Sequence, residues 1–473
     1  MEFNDEGLSL GTRREAALAL TTEHVLRAWS EFDHAREEES PVNEQLENLL
    51  HTGLPEAPSD VLSVIDSAAE VLDASLAQSR PRYFAFIGSS GLEVGALADL
   101  LAHTYDSNLA VDARAATELE WQAVGWLASF IGFPAQTGTF TSGGTISNIT
   151  ALASAREAAI PGSRTNGVGA AKPTLYCSDE AHYSITRAAE VLGIGAANVR
   201  AIAIDEQRRM RSDALREALT ADIAAGHTPV AIVATTGTTL TGAVDPINEL
   251  ADVAQEFGVW LHVDGAYGVP AAATSSRSEL FAGLDRVDSV TVDCHKWMFV
   301  PKACSAVLVR DVNTLARVFG HDEAYMPHAG GHFNAVDITL EYSRPFRALK
   351  LWMLFRTHGA GAVRSAIERN CEQATQLYEW ANERSGFETL TSRPQLSIVP
   401  FRRVVPGCSD VSAHNDALCT AIQKDGRVYV SPATIDGAVW LRPCFTNFRT
   451  TMDDVAALLD VASELGSSCE GLH

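Results

Sequence analysis

The stretch VDCHKW, residues 292–297, places Lys296 at the end of an apolar, strand-like run. A second stretch upstream, HVDGAY at residues 262–267, ends a similar run with Asp264. Lysine and aspartate are rarely buried without a partner. Desolvation lowers the pKa of a lysine amine and makes it a competent nucleophile. The two motifs therefore predict a functional site where two buried strands end.

Around these motifs, short β-rich runs alternate with helical stretches, which predicts an α/β fold with a mostly parallel sheet covered on both faces. The predicted strands are Thr174–Ser178, Val199–Ile204, Pro229–Thr235, Val259–Asp264, Asp288–Asp293 and Ser305–Arg310. The predicted helices between them include Ser147–Ala159, Ser212–Ala225 and Ile247–Phe257. Ligands of such sheets bind beyond the carboxyl ends of the strands. Thr235, Asp264 and Lys296 all fall at or just beyond such ends.

The chain divides into three predicted parts: an N-terminal helical arm at 1–80, a large domain at 81–353 and a small α+β domain at 354–473. Two amphipathic helices, from Arg14 to about Glu37 and from Val61 to Leu76, make up the arm. They are too few to form a domain alone, so we expect them to pack on a second subunit. The elements predicted for the small domain are a helix after Arg347, a helix from Val363 to about Arg384, strands Leu396–Val404, Val428–Val430 and Val439–Phe445, and helix Met452–Leu465.

Charge and composition exclude several classes of partner. The 36 Lys and Arg residues face 60 acidic residues, which gives a formal charge of −24. Such a surface repels nucleic-acid backbones and anionic lipid. We expect no membrane span and no secretory signal. The eight scattered cysteines predict free thiols in a reducing cytoplasm. No metal is expected, since glycines separate His328 and His332.

A lysine that binds an aldehyde covalently, together with an acid that keeps a pyridine nitrogen protonated, is the minimum apparatus of pyridoxal 5'-phosphate chemistry. The glycine–hydroxyl loop at residues 141–145 precedes a helix and could bind an anion such as a phosphate. His182 could stack on a flat ring. Each feature also has a plainer interpretation. The loop at residues 141–145 could be an ordinary turn, and Lys296 could be a surface lysine. His182 and Asp264 could be capping residues.

With these features in this order, the chain resembles the group II pyridoxal-phosphate-dependent amino-acid decarboxylases, the family of aromatic-L-amino-acid and glutamate decarboxylases. The Asp-x-Ala-Tyr element, the His-Lys-Trp element and the stretch FRALKLW at residues 346–352 carry the resemblance, which runs from about residue 81 to 451. It implies a fold of the pyridoxal-phosphate-dependent transferase type I class. It also implies pyridoxal 5'-phosphate as the cofactor and a homodimer.

The resemblance assigns roles residue by residue. Lys296 resembles the lysine that binds the cofactor, Asp264 the partner of the pyridine nitrogen, and His182 the ring-stacking histidine. Tyr325, in a loop that reads as a catalytic lid, falls where decarboxylating members carry a tyrosine that protonates the α-carbon. The remaining expected cofactor positions are Gly144, Thr145, Thr235, Ala266 and His295, and the expected substrate positions are Phe86, Ser89 and Arg442.

The activity implied is decarboxylation of an L-amino acid to the amine and CO2, with an aromatic substrate favoured. Departures from the aromatic members near Phe86 and His182 leave a glutamate- or diaminobutyrate-type decarboxylase open. An aldehyde-forming enzyme, a carbon–carbon lyase and a non-enzymatic protein on a retained fold are further alternatives. Tyr325 argues against the aldehyde-forming enzyme, because such members often carry phenylalanine at this position.

Overall fold

The computed structural model describes residues 8–36, 42–321, 334–390 and 393–468. A seven-stranded sheet with the order β1-β7-β6-β5-β4-β2-β3 forms its centre. Its strands are β1 (Thr137–Thr141), β2 (Pro173–Ser178), β3 (Val199–Ile202), β4 (Thr228–Thr235), β5 (Trp260–Asp264), β6 (Ser289–Val292) and β7 (Ser305–Val309). Only β7 runs antiparallel to its neighbours. The predicted mostly parallel α/β sheet is confirmed.

Helices lie before, between and after these strands. They are α1 (Arg14–Phe32), α2 (Glu44–Leu50), α3 (Val61–Asp73), α4 (Glu93–Tyr105), α5 (Ala115–Ile131), α6 (Gly144–Ala159), α7 (Ser163–Asn166), α8 (Ser184–Val191), α9 (Ser212–Ala224), α10 (Ile247–Phe257), α11 (Cys294–Trp297), α12 (Thr314–Phe319), α13 (Ala348–Glu383), α14 (Val411–Asp425) and α15 (Met452–Leu465). Helices α2, α4, α5, α7, α11, α12 and α14 and strand β1 were not predicted. The five residues of β1, TGTFT, are all buried although three of them are threonines, so their polarity conceals the strand.

Strand register brings the functional positions together. Thr235 at the end of β4 pairs with Asp264 at the end of β5, and Asp264 pairs with Thr291 near the end of β6. All three strands run parallel, so their carboxyl ends lie on one edge. The loop after β6 leads into α11, which contains Lys296. One edge of the sheet therefore gathers residues that are far apart in sequence.

A second sheet, with the order β10-β11-β9-β8, lies in the C-terminal part of the described chain. Its strands are β8 (Phe387–Thr389), β9 (Phe401–Arg403), β10 (Ser431–Ile435) and β11 (Ala438–Arg442). The strand predicted over Leu396–Val404 is shorter, because Pro400 lacks the N–H that a sheet ladder needs. The strand predicted at Val428–Val430 lies further on, in β10, where Pro432 is tolerated on an edge strand.

Helix α13 joins the two sheets and contains a break at Gly359, where the backbone is not helical (φ 74°, ψ 158°). This break agrees with the prediction of two successive helices. Its first part packs in the core of the large sheet, and its last turns pack with the second sheet and with α14 and α15. The boundary proposed at residue 353 falls inside this helix and stays a prediction.

The arm helices bury little within one chain. Helix α3 has no buried residue, and Ala17 is the only one in α1. The two helices contact each other, with ion pairs Arg27–Asp73 and His24–Asp66. Four of their apolar side chains, Leu18, Leu26, Val64 and Leu72, are each more than half exposed.

Two further expectations concern cysteines and membranes. Six cysteines are free and buried: Cys177, Cys294, Cys304, Cys371, Cys419 and Cys444. Cys408 is disulfide-bonded, so the expectation of free thiols is wrong for this residue. Across the described ranges, no helix combines the length and apolarity that crossing a bilayer requires. His328 and His332 lie outside the described residues.

Candidate active site

A cleft of about 380 Å³ opens at the carboxyl edge of β4, β5 and β6. Eight of the twelve predicted site residues line this cleft. The lining residues that the sequence predicted are Gly144, Thr145, His182, Thr235, Asp264, Ala266, His295 and Lys296. The sheet edge thus assembles the predicted cofactor positions around one space.

The N-terminus of α6 forms a backbone cradle in this cleft. The Gly144 N–H donates to Asp293 Oδ2 at 3.1 Å. A Cβ at Gly144 would lie 3.1 Å from Ala266 Cβ and 3.3 Å from Asp293 Oδ2. A side chain here would therefore crowd the cradle. Amides at the start of this 16-residue helix suit an anion, because they lack intrahelical partners and carry the positive end of the helix dipole.

Lys296 lies beside a buried carboxylate. Its Nζ is 3.9 Å from Asp293 Oδ2, and His295 Nδ1 is 2.7 Å from Asp293 Oδ1. The Lys296 side chain is 22% exposed, whereas that of Asp293 is 3% exposed. The amine is therefore held near the cradle and remains accessible from the cleft.

Asp264 is buried at the end of β5, and both of its carboxylate oxygens accept hydrogen bonds. Asn148 Nδ2 donates to Oδ2 at 2.9 Å, and the Ala266 N–H donates to Oδ1 at 3.2 Å. These two hydrogen bonds fix the orientation of the Asp264 carboxylate. The site can thus hold an anion opposite a protonated ring nitrogen.

His182 lies at the start of the turn that leads into α8. Its Nδ1 accepts the Ser184 N–H at 3.2 Å, which leaves any hydrogen of the neutral ring on Nε2. Burial lowers the pKa of His182; the Lys296 charge adds to this effect, and the Asp264 charge opposes it. The ring is therefore neutral near pH 7.

Thr235 presents a buried hydroxyl to the same cleft. Its N–H donates to Asp245 Oδ2 at 2.7 Å, and its Oγ1 has no hydrogen-bond partner among the described residues. An unpaired buried hydroxyl is unusual and is consistent with a site that receives a polar ligand.

The three predicted substrate positions do not line the cleft. Arg442, at the end of β11, is 3% exposed. Its Nη1 donates to the Phe86 carbonyl at 2.9 Å, and Ile87, the next residue, does line the cleft. The Phe86 side chain is exposed. The Ser89 hydroxyl donates to the Val300 carbonyl at 3.0 Å, so it is already engaged.

Two of the Arg442 nitrogens, Nε and Nη2, are buried without a hydrogen-bond partner among the described residues. Burial lowers the pKa of this guanidinium, and the nearby Cys444 and Tyr267 oppose the shift. Tyr325, the predicted proton donor, lies outside the described residues.

Sequence reasoning missed several cleft residues. Asn148, Ser184, Thr239 and Asp293 line the cleft but were not assigned a role. Asn148 had a usable signal, because it lies four residues after Gly144 and therefore on the same face of α6. Thr239 had none, since the loop after β4 has no periodicity.

These residues fit pyridoxal 5'-phosphate. The cradle at Gly144 and Thr145, with His295, would hold the phosphate, and Asp264 would face the pyridine nitrogen. Lys296 would bind the aldehyde. The unpaired Thr235 hydroxyl suits a bound polar group.

Comparison with known proteins gives the same assignment. The conserved domain of pyridoxal-dependent decarboxylases matches residues 43–404. An aromatic-L-amino-acid decarboxylase of Bacillus atrophaeus is 32% identical over 90% of this chain and 91% of its own length. A cysteine sulfinic acid decarboxylase of Rattus norvegicus is 31% identical over 77% of this chain and 75% of its own.

A solved structure agrees in fold as well. Catharanthus roseus tryptophan decarboxylase in complex with L-tryptophan superposes with a TM-score of 0.87 and 25% identity, covering 98% of this chain and 99% of that one. With Lys296 and Asp264 on one cleft and the family's domain over most of the chain, the protein belongs to the pyridoxal-dependent decarboxylase family and is a pyridoxal-phosphate-dependent amino-acid decarboxylase.

Proposed function

We propose that the protein converts an aromatic L-amino acid to its amine and CO2. The observation that carries the proposal is the shared cleft of Lys296, Asp264 and the Gly144 cradle. The aromatic preference is supported by the Bacillus atrophaeus relative and by the tryptophan decarboxylase structure. When bound, pyridoxal phosphate supplies a conjugated ring that accepts the electrons of the breaking bond.

The residues of the chain then divide the remaining work. Lys296 would hold the cofactor aldehyde through its amine. Asp264 would face the ring nitrogen and favour its protonated form. His182, neutral and with its hydrogen on Nε2, would lie against the ring and exclude water from it. Tyr325 returns a proton to the α-carbon after CO2 has left.

Arg442 is proposed to bind a carboxylate of the substrate. Its two unpaired nitrogens, Nε and Nη2, can donate two parallel hydrogen bonds to one carboxylate. A tight ion pair with the carboxylate that leaves as CO2 would stabilise the ground state, since the charge disperses in the transition state. The unpaired guanidinium therefore favours a second candidate function, decarboxylation of an acidic amino acid through contact with its side-chain carboxylate.

A product screen separates the two candidates. Purified protein with added pyridoxal phosphate is incubated with aromatic, acidic and basic L-amino acids, and the amine and CO2 are measured. We expect the highest kcat/KM for an aromatic substrate. A higher value for glutamate, cysteine sulfinate or diaminobutyrate would replace the first proposal by the second type of decarboxylase.

The proton donor decides between amine and aldehyde as products. We expect the unchanged protein to release amine and CO2 in equal amounts without consuming oxygen. Tyr325→Phe should lower amine formation and raise aldehyde, ammonia and hydrogen peroxide with consumption of dissolved oxygen, because an α-carbon that is not protonated promptly is oxidised by O2 instead. Aldehyde as the main product of the unchanged protein would contradict the proposed role of Tyr325.

We further propose that the protein is a homodimer in which the arm packs on a second copy. Leu18, Leu26 and Leu72 on α1 and α3 are each more than half exposed, and an apolar face of this kind needs a partner surface. A Leu26→Glu/Leu72→Glu variant should sediment as a 50.7 kDa monomer, whereas Val191→Glu on exposed α8 should leave the dimer intact. A monomeric unchanged protein would refute the dimer.

The proposed location is the cytoplasm. Six free buried thiols are typical of proteins in a reducing compartment, although the disulfide at Cys408 argues in the opposite direction. Cell fractionation with immunodetection tests the location.

A further inference from the structure

A line of hydrogen-bonded side chains leads from Trp260, at the start of β5, to Asp264, at the end of the same strand. The Trp260 Nε1 lies 2.9 Å from Ser289 Oγ, and Ser289 Oγ lies 2.8 Å from His262 Nδ1. His262 Nε2 lies 3.1 Å from Asn148 Oδ1, and Asn148 Nδ2 lies 2.9 Å from Asp264 Oδ2. Four hydrogen bonds therefore connect an indole to the carboxylate proposed to face the cofactor.

The carboxylate end fixes the direction of these bonds. An ionised carboxylate only accepts hydrogen bonds, so Asn148 must turn its NH2 group to Asp264. A second contact agrees, since Asn148 Nδ2 also donates to Ser184 Oγ at 3.0 Å. The Asn148 oxygen then faces His262, and an oxygen there requires a hydrogen on His262 Nε2.

The indole end is compatible with the same direction. An indole N–H only donates, so Ser289 Oγ must accept from Trp260. The Ser289 hydroxyl also has one hydrogen of its own, which it can donate to an unprotonated His262 Nδ1. The direction set at the carboxylate end therefore gives His262 a hydrogen on Nε2 and leaves Nδ1 to accept from Ser289.

Its surroundings are consistent with this state of His262. The side chain is completely buried, and burial lowers its pKa to about 4 although the Asp264 charge acts in the opposite direction. Thr291 Oγ1 lies 3.4 Å from Nε2 and can accept a share of the same hydrogen. A neutral ring also places no second cation behind Asp264 to compete with a protonated ring nitrogen.

We propose that Trp260, Ser289, His262 and Asn148 form a one-way hydrogen-bond chain that positions Asp264 and keeps its Oδ2 free of a proton. A proton on Oδ2 would face the Asn148 N–H, so the chain favours the ionised carboxylate. The proton shared between Asp264 and the cofactor then stays on the ring nitrogen. These four are positioning residues, and the inference rests on the proposed role of Asp264.

The first test measures the His262 ring in the unchanged protein, and a substitution serves only to assign its signals. Nitrogen-15 NMR of protein labelled at histidine, without cofactor, reports the hydrogen on each ring nitrogen, and His262→Gln identifies the His262 signals. The inference predicts a neutral ring with Nε2–H at pH 7. A hydrogen on Nδ1, or a doubly protonated ring, would overturn the inferred direction.

The second test breaks the chain two bonds away from Asn148. Ser289→Ala removes one hydroxyl and should weaken the affinity for pyridoxal phosphate about threefold to tenfold. It should also shift the pH dependence of the absorbance of the bound cofactor. Ser154→Ala is the matched control, because Ser154 is buried on α6 and its hydroxyl donates to the Thr150 carbonyl at 3.1 Å, outside the chain.

The outcomes distinguish this inference from the proposed function. If Ser289→Ala matches Ser154→Ala in cofactor affinity and in the pH dependence of the cofactor absorbance, the hydrogen-bond chain is refuted. The assignment of the activity then still stands. If the unchanged protein binds no cofactor at Lys296, the proposed roles of Lys296 and Asp264 fail instead.

Discussion

Asp264 and Arg442 are both charged and buried, at 5% and 3% exposure, yet their surroundings differ. Both oxygens of Asp264 accept hydrogen bonds from the protein, whereas two nitrogens of Arg442 lack a partner among the described residues. Leaving a buried polar group unpaired costs about 1–3 kcal/mol. The difference agrees with the proposed roles, in which Asp264 is already held in place for the cofactor and Arg442 keeps hydrogen-bond donors for a substrate carboxylate.

The largest expected effect is that of replacing Asp264. Asp264→Asn keeps the shape but removes the charge opposite the ring nitrogen, so kcat should fall about a thousandfold for every substrate, the scale of a preorganised electrostatic contact. Steady-state kinetics on two unlike substrates checks this. An equal loss for both agrees with a role at the cofactor, and a loss confined to one substrate would place Asp264 on the substrate side.

Arg442→Met should have a different effect, on substrate binding. The kcat/KM should fall about tenfold to a hundredfold through KM, the scale of a hydrogen bond to a charged group. Thermal stability without substrate should stay equal or rise, because an unpaired buried charge is removed.

Arg402→Met is the control for Arg442→Met. Arg402 lies on β9, the strand next to β11, and already pairs with Glu388. Because exposed ion pairs contribute about 0–1 kcal/mol, both measurements should change little. A large loss of stability in Arg442→Met would show that the guanidinium has a structural partner and would remove the contrast with Asp264.

The smallest expected effect concerns His262, in the hydrogen-bond chain that leads to Asp264. The pKa of His262 is about 4 in the folded protein and about 6.5 when unfolded, so its contribution to stability is present above pH 6.5 and is lost as pH falls towards 4. The unchanged protein should lose about 2 kcal/mol more than His262→Gln between pH 7 and pH 5. Denaturant unfolding without cofactor measures this, and equal losses in both proteins would contradict the neutral buried ring.

The sequence predicted the parts of the fold that have simple periodicity. Strands β2, β4 and β5 are runs of buried apolar residues, and their ends brought Asp264 and Thr235 to one edge. It could not predict β1, whose buried threonines are polar, or the shortened β9, where Pro400 interrupts the ladder. Arg442 was expected near the substrate, but its missing partners depend on tertiary packing that no local pattern records.

The roles within the cleft divide in the same way. Lys296 stands in a specific motif, so its position was predictable. The chain behind Asp264 was not, because Asn148, His262 and Ser289 come from three separate elements, α6, β5 and β6. Only the parallel register of the strands brings them into contact, and hydrogen-bond direction can be read only from the assembled atoms.

The central claim is that the ε-amine of Lys296 holds the cofactor. Protein loaded with pyridoxal phosphate is reduced with borohydride, digested and analysed by mass spectrometry. The account predicts one added pyridoxyl-phosphate group, on the peptide that contains Lys296, and none in Lys296→Ala. A label on another lysine, or unchanged labelling in Lys296→Ala, would contradict it.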